Sequence, residues 1–321
     1  MPSWQAKTMS GFIRLFIKRR VRSEEAALVH HFRAKLDTPE WMRPPIPKWV
    51  DVEPVDQEGV RGEWVRPKTL ARPAKRTIYY LHGGGYVACS PATHRMFTAA
   101  LSREAEAEVF ALDYRLAPEH RYPAAVEDAV AGYRWLLAQG RRPDEISIGG
   151  DSAGGGLTIA TLLALRDAGI ALPRAAFCLS PWTDLAGAGP SVAANDRRDP
   201  MFYGDNIAPM GRVYAGQTPL TDPRVSPVYA DLRGLPPLRI DVSDTEVLLD
   251  DSTRLAERGR ACGVEVELNV WHALPHVWPI FVGFGLPEAK EAITGIAGFI
   301  QHRQPAAQSH FGAASAVNMH S

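Results

Sequence analysis

Cysteine is scarce: Cys89, Cys178 and Cys262 are the three in a chain of 321 residues. Their odd number and wide separation exclude a disulfide framework and any short metal-ligand spacing, and point to reduced thiols in a cytoplasmic protein. Excess charge is missing too. Lys plus Arg and Asp plus Glu number 36 each, so no global field draws the chain to nucleic acid. Long apolar runs are also lacking. One begins at Met9, but Arg14 breaks it and Lys18-Arg19-Arg20 follow, which fits neither a signal peptide nor a spanning helix of about 20 apolar residues. Phe12, Leu15, Phe16 and Arg19 instead recur at helical spacing. An amphipathic helix with a basic face suits either a membrane surface or the cover of an apolar pocket, and the second reading is preferred.

What is present is an alternation of strand and helix patterns. Residues 1–48 hold two helical patterns, the second starting at Ser23-Glu24-Glu25 and continuing through Leu28, Phe32 and Leu36. Pro44-Pro45-Ile46-Pro47 closes this region. Residues 49–303 then read as one α/β core, a mainly parallel sheet flanked by helices. Asp184 to Leu235 is too long for a simple crossover between two core strands. An insertion at about 185–220, with a helix over Gly204–Ala215, is expected to pack with the N-terminal helices as a cap. Residues 304–321 are Ala-, Ser- and Gln-rich and are expected to be disordered.

Gly150-Asp151-Ser152-Ala153-Gly154 lies between a strand ending at Gly149 and a helix from Gly155 to Arg166. A serine in G-x-S-x-G at a strand-to-helix turn is the nucleophile-elbow pattern, which lifts the hydroxyl above the sheet. His82-Gly83-Gly84-Gly85 follows another strand. Its backbone amides can approach a developing oxyanion, making Gly84, Gly85 and Ala153 the candidate donors. A phosphate loop would need Lys-Ser/Thr after the last glycine, and neither cluster has it. The base is expected in a loop after the last strand. His276 suits that position better than His272, which directly ends the strand. For the acid, carboxylates crowd the segment after the preceding strand. Asp250 and Asp251 lie a turn inside a helix expected over Val247–Cys262 and read as solvated or structural, and Ser243-x-x-Glu246 also reads as a capping box. Spacing does not separate Asp244 from Glu246.

Together with Asp113-Tyr114-Arg115-Leu116-Ala117-Pro118-Glu119, Tyr122-Pro123-Ala124-Ala125 and Ser180-Pro181-Trp182, these motifs resemble the hormone-sensitive-lipase-like family of α/β-hydrolases, which includes many bacterial carboxylesterases. The resemblance runs from about Val50 to Arg303. It implies an eight-stranded α/β-hydrolase core, a helical cap over a buried acyl pocket, and hydrolysis of a small-molecule ester with short to medium acyl groups. No metal or organic cofactor is implied. Aligning Glu246-Val247-Leu248-Leu249-Asp250 on the family's acid segment makes Glu246 the acid, a departure from the commoner aspartate that resembles an E-V-L-L-D branch. The late family histidine falls on His276. His82 and Gly83 become the supporting loop, and Asp151 and Arg115 structural supports. Tyr86, Met201, Phe202, Tyr203 and Met210 are candidates for the pocket wall. Similar enzymes also dimerise through the last strand and helix. Lactone, carbamate or amide hydrolysis would use the same triad. A non-catalytic receptor on this scaffold, like the plant gibberellin receptors, would lack the working histidine.

Overall fold

The computed structural model describes residues 1–18, 20, 25–37, 43, 45–72 and 74–303. The expectations placed on Arg19, Ser23, Glu24, Pro44 and the tail 304–321 therefore lie outside the described residues. Helix α1, Trp4–Phe16, starts where the Ser3 hydroxyl accepts from the Ala6 amide at 3.1 Å, and α2 spans Glu25–Leu36. Strands β1, Val50–Gln57, and β2, Val60–Pro67, form a hairpin. Its two turn residues, Glu58 and Gly59, both have positive φ, as a tight two-residue connection between twisted strands requires.

The core continues as β3 (Thr77–Leu81), α3 (Pro91–Glu104), β4 (Glu108–Leu112), α4 (Ala124–Ala138), β5 (Ile146–Asp151), α5 (Ala153–Asp167) and β6 (Ala175–Leu179). After the insertion, with α6 (Ser191–Ala194) and α7 (Ile207–Ala215), come β7 (Leu238–Ser243), α8 (Leu249–Ala261), β8 (Val266–Trp271) and α9 (Pro287–His302). The eight strands form one sheet in the order β1-β2-β4-β3-β5-β6-β7-β8. β1–β2 and β2–β4 are antiparallel, and every pairing from β4 to β8 is parallel. Several element ends depart from the sequence pattern. The helix expected over Gly204–Ala215 opens with a 3₁₀ turn at Gly204–Asn206, α8 begins at Leu249, and at the elbow β5 runs on to Asp151 while α5 already starts at Ala153.

Strands β3 to β6 are buried along their whole length, which explains the apolar runs at residues 78–81, 109–112 and 175–179. Successive side chains go to opposite faces. Tyr79, Leu81 and Ile148 pack with Leu136 of α4, Leu157 of α5 and Leu255 of α8, while Ile78 and Tyr80 pack with Phe97 of α3 and Ile296 of α9. α1 is anchored separately. Its Ala6 joins Leu274, Trp278 and Ala289, and both the amide and the hydroxyl of Ser3 donate to Glu288. Among the described residues no helix is long and apolar enough to cross a membrane. The loops that follow β3, β5, β7 and β8 leave the carboxyl ends of parallel strands, where open α/β sheets collect their functional groups.

Candidate active site

Ser152 is the single residue between β5 and α5, with φ 53° and ψ −121°. A non-glycine residue held there stores strain of about 1–3 kcal/mol. Four backbone hydrogen bonds hold it. Its amide donates to the Leu179 carbonyl at 2.8 Å, and its carbonyl accepts from Gly155, Gly156 and Trp182 at 3.0, 3.1 and 2.9 Å. The flanking glycines are steric necessities. A Cβ on Gly150 or Gly154 would drive into the Leu81 carbonyl oxygen of the neighbouring strand.

The glycine loop after β3 is fixed from below. Asp151 accepts from the Gly83 amide at 2.9 Å and the Tyr80 hydroxyl at 2.5 Å, and His94 Nε2 lies 3.3 Å from its Oδ1. Burial opposes the Asp151 charge, but His94 and the Tyr80 hydroxyl outweigh it and hold the carboxyl below its ordinary value. His82 is different. Burial, helped by repulsion from His94, pushes its pKa down to about 3, so the ring is neutral and Nδ1–H donates to the Gly83 carbonyl at 2.7 Å. That ring stacks on Tyr114, whose hydroxyl donates to the His82 carbonyl at 2.7 Å. Gly84 and Gly85 have φ of 113° and 64°, a conformation glycine adopts without steric cost. Among the described residues, the amides of Gly84, Gly85 and Ala153 donate to no protein acceptor.

Glu246 and His276 meet behind this loop. His276 Nδ1 lies 2.5 Å from Glu246 Oε2. The other carboxylate oxygen accepts from the Ser180 hydroxyl at 2.7 Å and the Ser243 amide at 2.8 Å. The last contact has the form of one arm of the expected capping box, but α8 begins at Leu249 with Leu248 as its N-cap, so the bond braces the loop and caps no helix. Burial alone would lower the His276 pKa, but the carboxylate of Glu246, with Asp199 and Asp151 farther off, raises it above the ordinary histidine value. His276 Nε2 is buried and has no partner.

The remaining candidates separate by location. Asp244 pairs with His272 at 2.8 Å, but that histidine side chain is 67% exposed and neither residue lines the cavity. Asp250 accepts from the Ser191 amide at 2.6 Å. Asp251 is fully buried, accepts from the Thr183 and Asp184 amides at 2.7 Å each, and is pushed up to about 8 by burial. Both carboxylates thus anchor the insertion. Arg115 clamps Asp128 instead of approaching the site.

A cavity of about 600 Å³ joins Ser152, His276, Gly84 and Gly85. Met201, Phe202 and Met210 line it; Tyr86 and Tyr203 do not, which corrects the expectation for those two. Tyr86 is buried at 2% exposure and stacks on Tyr214 with centroids 3.7 Å apart. Tyr203 lies beneath the cations of Lys18 and Arg20. Other walls come from Trp182 and Leu248, from Ile17 and Phe32 beside α1 and in α2, and from Ile280 and Phe281 after β8. Phe202 also stands edge-on to His276, with centroids 4.9 Å apart.

Sequence reasoning missed Asp199. Its Oδ1 accepts from the Met201 and Phe202 amides at 2.7 and 3.0 Å, and its Oδ2 from the Val247 amide at 2.9 Å. Burial, then the nearby Glu246 charge, raises its pKa. Asn195 adds a second tie, donating to the Glu246 carbonyl at 2.8 Å. No spacing rule announces either residue; only the insertion's fold brings them to the acid's loop. Among the described residues no group of three or more His, Cys, Asp or Glu is arranged to hold a metal.

Comparison with known proteins agrees with this geometry. Residues 78–280 match the model of a family with the α/β-hydrolase fold. An acetyl-hydrolase of Streptomyces hygroscopicus is 45% identical over 240 residues, 75% of this chain and 79% of that protein. An esterase of Acinetobacter venetianus is 34% identical over 251 residues, 78% of this chain and 82% of its own length. Among solved structures, an esterase from the bacterial hormone-sensitive lipase family superposes with a TM-score of 0.86 at 40% identity, covering 94% of this chain and 99% of that one. The chain therefore belongs to the α/β-hydrolase fold family, among the bacterial hormone-sensitive-lipase-like esterases.

Proposed function

We propose that this carboxylic ester hydrolase works through Ser152 as nucleophile, His276 as base and Glu246 as the acid that orients it. The observation that carries the assignment is the buried Glu246–His276 pair, whose second ring nitrogen has no partner and whose cavity also holds Ser152 and the glycine loop. With Nδ1–H held by Glu246, Nε2 is the basic nitrogen. It takes the Ser152 proton as Oγ attacks the ester carbonyl, and the carboxylate stabilises the imidazolium formed. The amides of Gly84, Gly85 and Ala153 receive the oxyanion. His276 then protonates the departing alcohol. A water, deprotonated by the same nitrogen, releases the acid from the acyl-Ser152 ester and regenerates the hydroxyl.

The N-terminal helices 1–48 and the insertion 185–220 form the cap in this reading, since both contribute walls to the cavity. A pocket of about 600 Å³ suits short to medium acyl esters. Relatives point the same way: the Streptomyces protein is named an acetyl-hydrolase, and EstE5, with a TM-score of 0.85, was soaked with p-nitrophenyl butyrate. β8 ends the sheet with one edge unpaired, which supports a homodimer through that strand. Three free thiols suit a cytoplasmic setting.

Hydrolysis of p-nitrophenyl acetate to octanoate esters tests the assignment. Activity should be greatest on the shorter chains, and Ser152→Ala should lower kcat by about 10⁴-fold or more. Wild-type turnover in that variant, with the fold intact, would remove the mechanism.

A further inference from the structure

α1 buries Ala6 and Ile13 on one face and exposes apolar side chains on another, from which Phe12 reaches the cavity. Among the described residues eight large apolar side chains are exposed, and five of them belong to the first 16 residues: Met1, Trp4, Phe12, Leu15 and Phe16. Monomeric proteins usually scatter such side chains singly. Here the Phe12 and Phe16 rings pack tilted with centroids 4.5 Å apart, and Leu15 is 75% exposed. Phe284, 67% exposed, stands on another wall of the same cavity, which Phe12 also lines. Two exposed apolar rings, Phe12 and Phe284, therefore stand on walls of the cavity, and the first continues into the exposed arc of α1.

Charge along α1 says what this arc faces. Lys7, Arg14 and Lys18 recur at intervals of seven and four, so they share one edge of the helical path, beside the apolar arc. Six basic residues precede the first acidic one, Glu24, in a chain whose overall charge is zero. Arg14 donates to the carbonyls of Arg197 and Arg198, and Lys18 to those of Asp196 and Asp199, with the Asp199 and Asp196 carboxylates near the Lys18 ammonium. Among the described residues of this group Arg20 forms ion pairs, with Asp196 and Asp205. An exposed apolar arc bordered by cations is the pattern of a helix lying in a lipid interface.

We propose that α1 and Phe284 dock the cavity mouth on an anionic lipid surface. Apolar rings enter the headgroup boundary, the cationic edge meets lipid phosphates, and the cavity opens toward the interface. A second copy of the chain fits this face less well, because pairing α1 with α1 would bring two cationic edges together. Docking stands on the surface alone; the delivery of interfacial esters to Ser152 rests on the function proposed above.

Co-sedimentation of the full chain with phosphatidylglycerol vesicles tests it, with phosphatidylcholine vesicles as the neutral arm. Binding to the anionic vesicles should fall on neutral ones and at about 0.5 M salt. Leu15→Glu should lower partitioning about tenfold or more, and Lys7→Gln about fivefold. Neither side chain lines the cavity, so both variants should hydrolyse a dissolved acetate ester at the wild-type rate, which certifies their folding. The proposal is overturned if wild-type protein ignores anionic vesicles, or if Leu15→Glu binds them unchanged. It is also overturned if Leu15→Glu merely converts a dimer to a monomer without altering vesicle binding. Failure of the wild-type chain to cleave the dissolved ester would instead sink the proposed function and leave the vesicle result standing.

Discussion

Two carboxylate–histidine pairs bridge the same two loops, those after β7 and β8. Asp244 with His272 is 2.8 Å apart and Glu246 with His276 is 2.5 Å apart. In the first pair the side chains are 30% and 67% exposed; in the second, 0% and 2%. Water screens the outer pair, so its net worth is small whatever its geometry. The inner pair is surrounded by Ser180, Ser243, Phe202 and Asp199, and it borders a cavity that also holds a strained serine. Each pair thus sets a carboxylate within hydrogen-bond reach of a histidine Nδ1. Burial, and the neighbours that satisfy each oxygen, make the difference.

The widest gap should appear between the histidines. His276→Ala is expected to cost about 10⁴-fold in kcat/KM, and His272→Ala less than about twofold, as read by hydrolysis of a short p-nitrophenyl ester. Equal losses would erase the distinction. Next come the carboxylates. Glu246→Gln should lower kcat about 10³-fold, because the amide no longer selects the Nδ1–H tautomer, while Asp244→Asn should leave kcat intact. The reverse ranking would make the outer pair the working one.

A smaller effect belongs to Ser180. Ser180→Ala removes one hydrogen bond to Glu246 and an acceptor for the Val277 amide, so kcat should fall about tenfold with little change in KM. Titration sharpens the contrast further. The base must be neutral and its pKa lies above the ordinary histidine value, so kcat/KM should climb with pH through a point above about 6.5. Removing the Glu246 charge leaves burial unopposed and should move that limb to lower pH. The sign for stability is opposite in sense: a raised folded pKa stabilises the fold below the unfolded value, and the gain disappears as pH rises through the folded one. Thermal melts across that interval should show it. Smallest of all is Asp244→Asn. The carboxyl is held below its ordinary value despite partial burial, by the Ala273 amide and His272, so its contribution exists above the unfolded pKa and vanishes on acidification. After allowance for exposure it should amount to less than about 1 kcal/mol in a denaturant titration at neutral pH.

Much of this organisation was legible in residue order. The alternation of strand and helix patterns announced the sheet, and G-x-S-x-G announced the turn whose glycines lie against Leu81. The resemblance selected Glu246 over Asp244, which spacing had left equivalent. Tyr86 and Tyr203 were misplaced because aromatic identity carries no orientation: a positive φ at Tyr86 accompanies its stacking on Tyr214, and Tyr203 is drawn beneath two cations. Asp199 and Asn195 were invisible for another reason. Each is an ordinary polar residue in a Pro- and Gly-rich stretch, and its partners lie about fifty positions away.

The bonds from Asp199 and Asn195 to the Val247 amide and the Glu246 carbonyl make the insertion and the acid's loop a single mechanical part. Exchange of the insertion between homologues to redirect selectivity would therefore change turnover as well, unless residues 191–202 and 243–251 travel together. Recombination breakpoints placed between those two segments would separate a wall from the hinge on which it hangs.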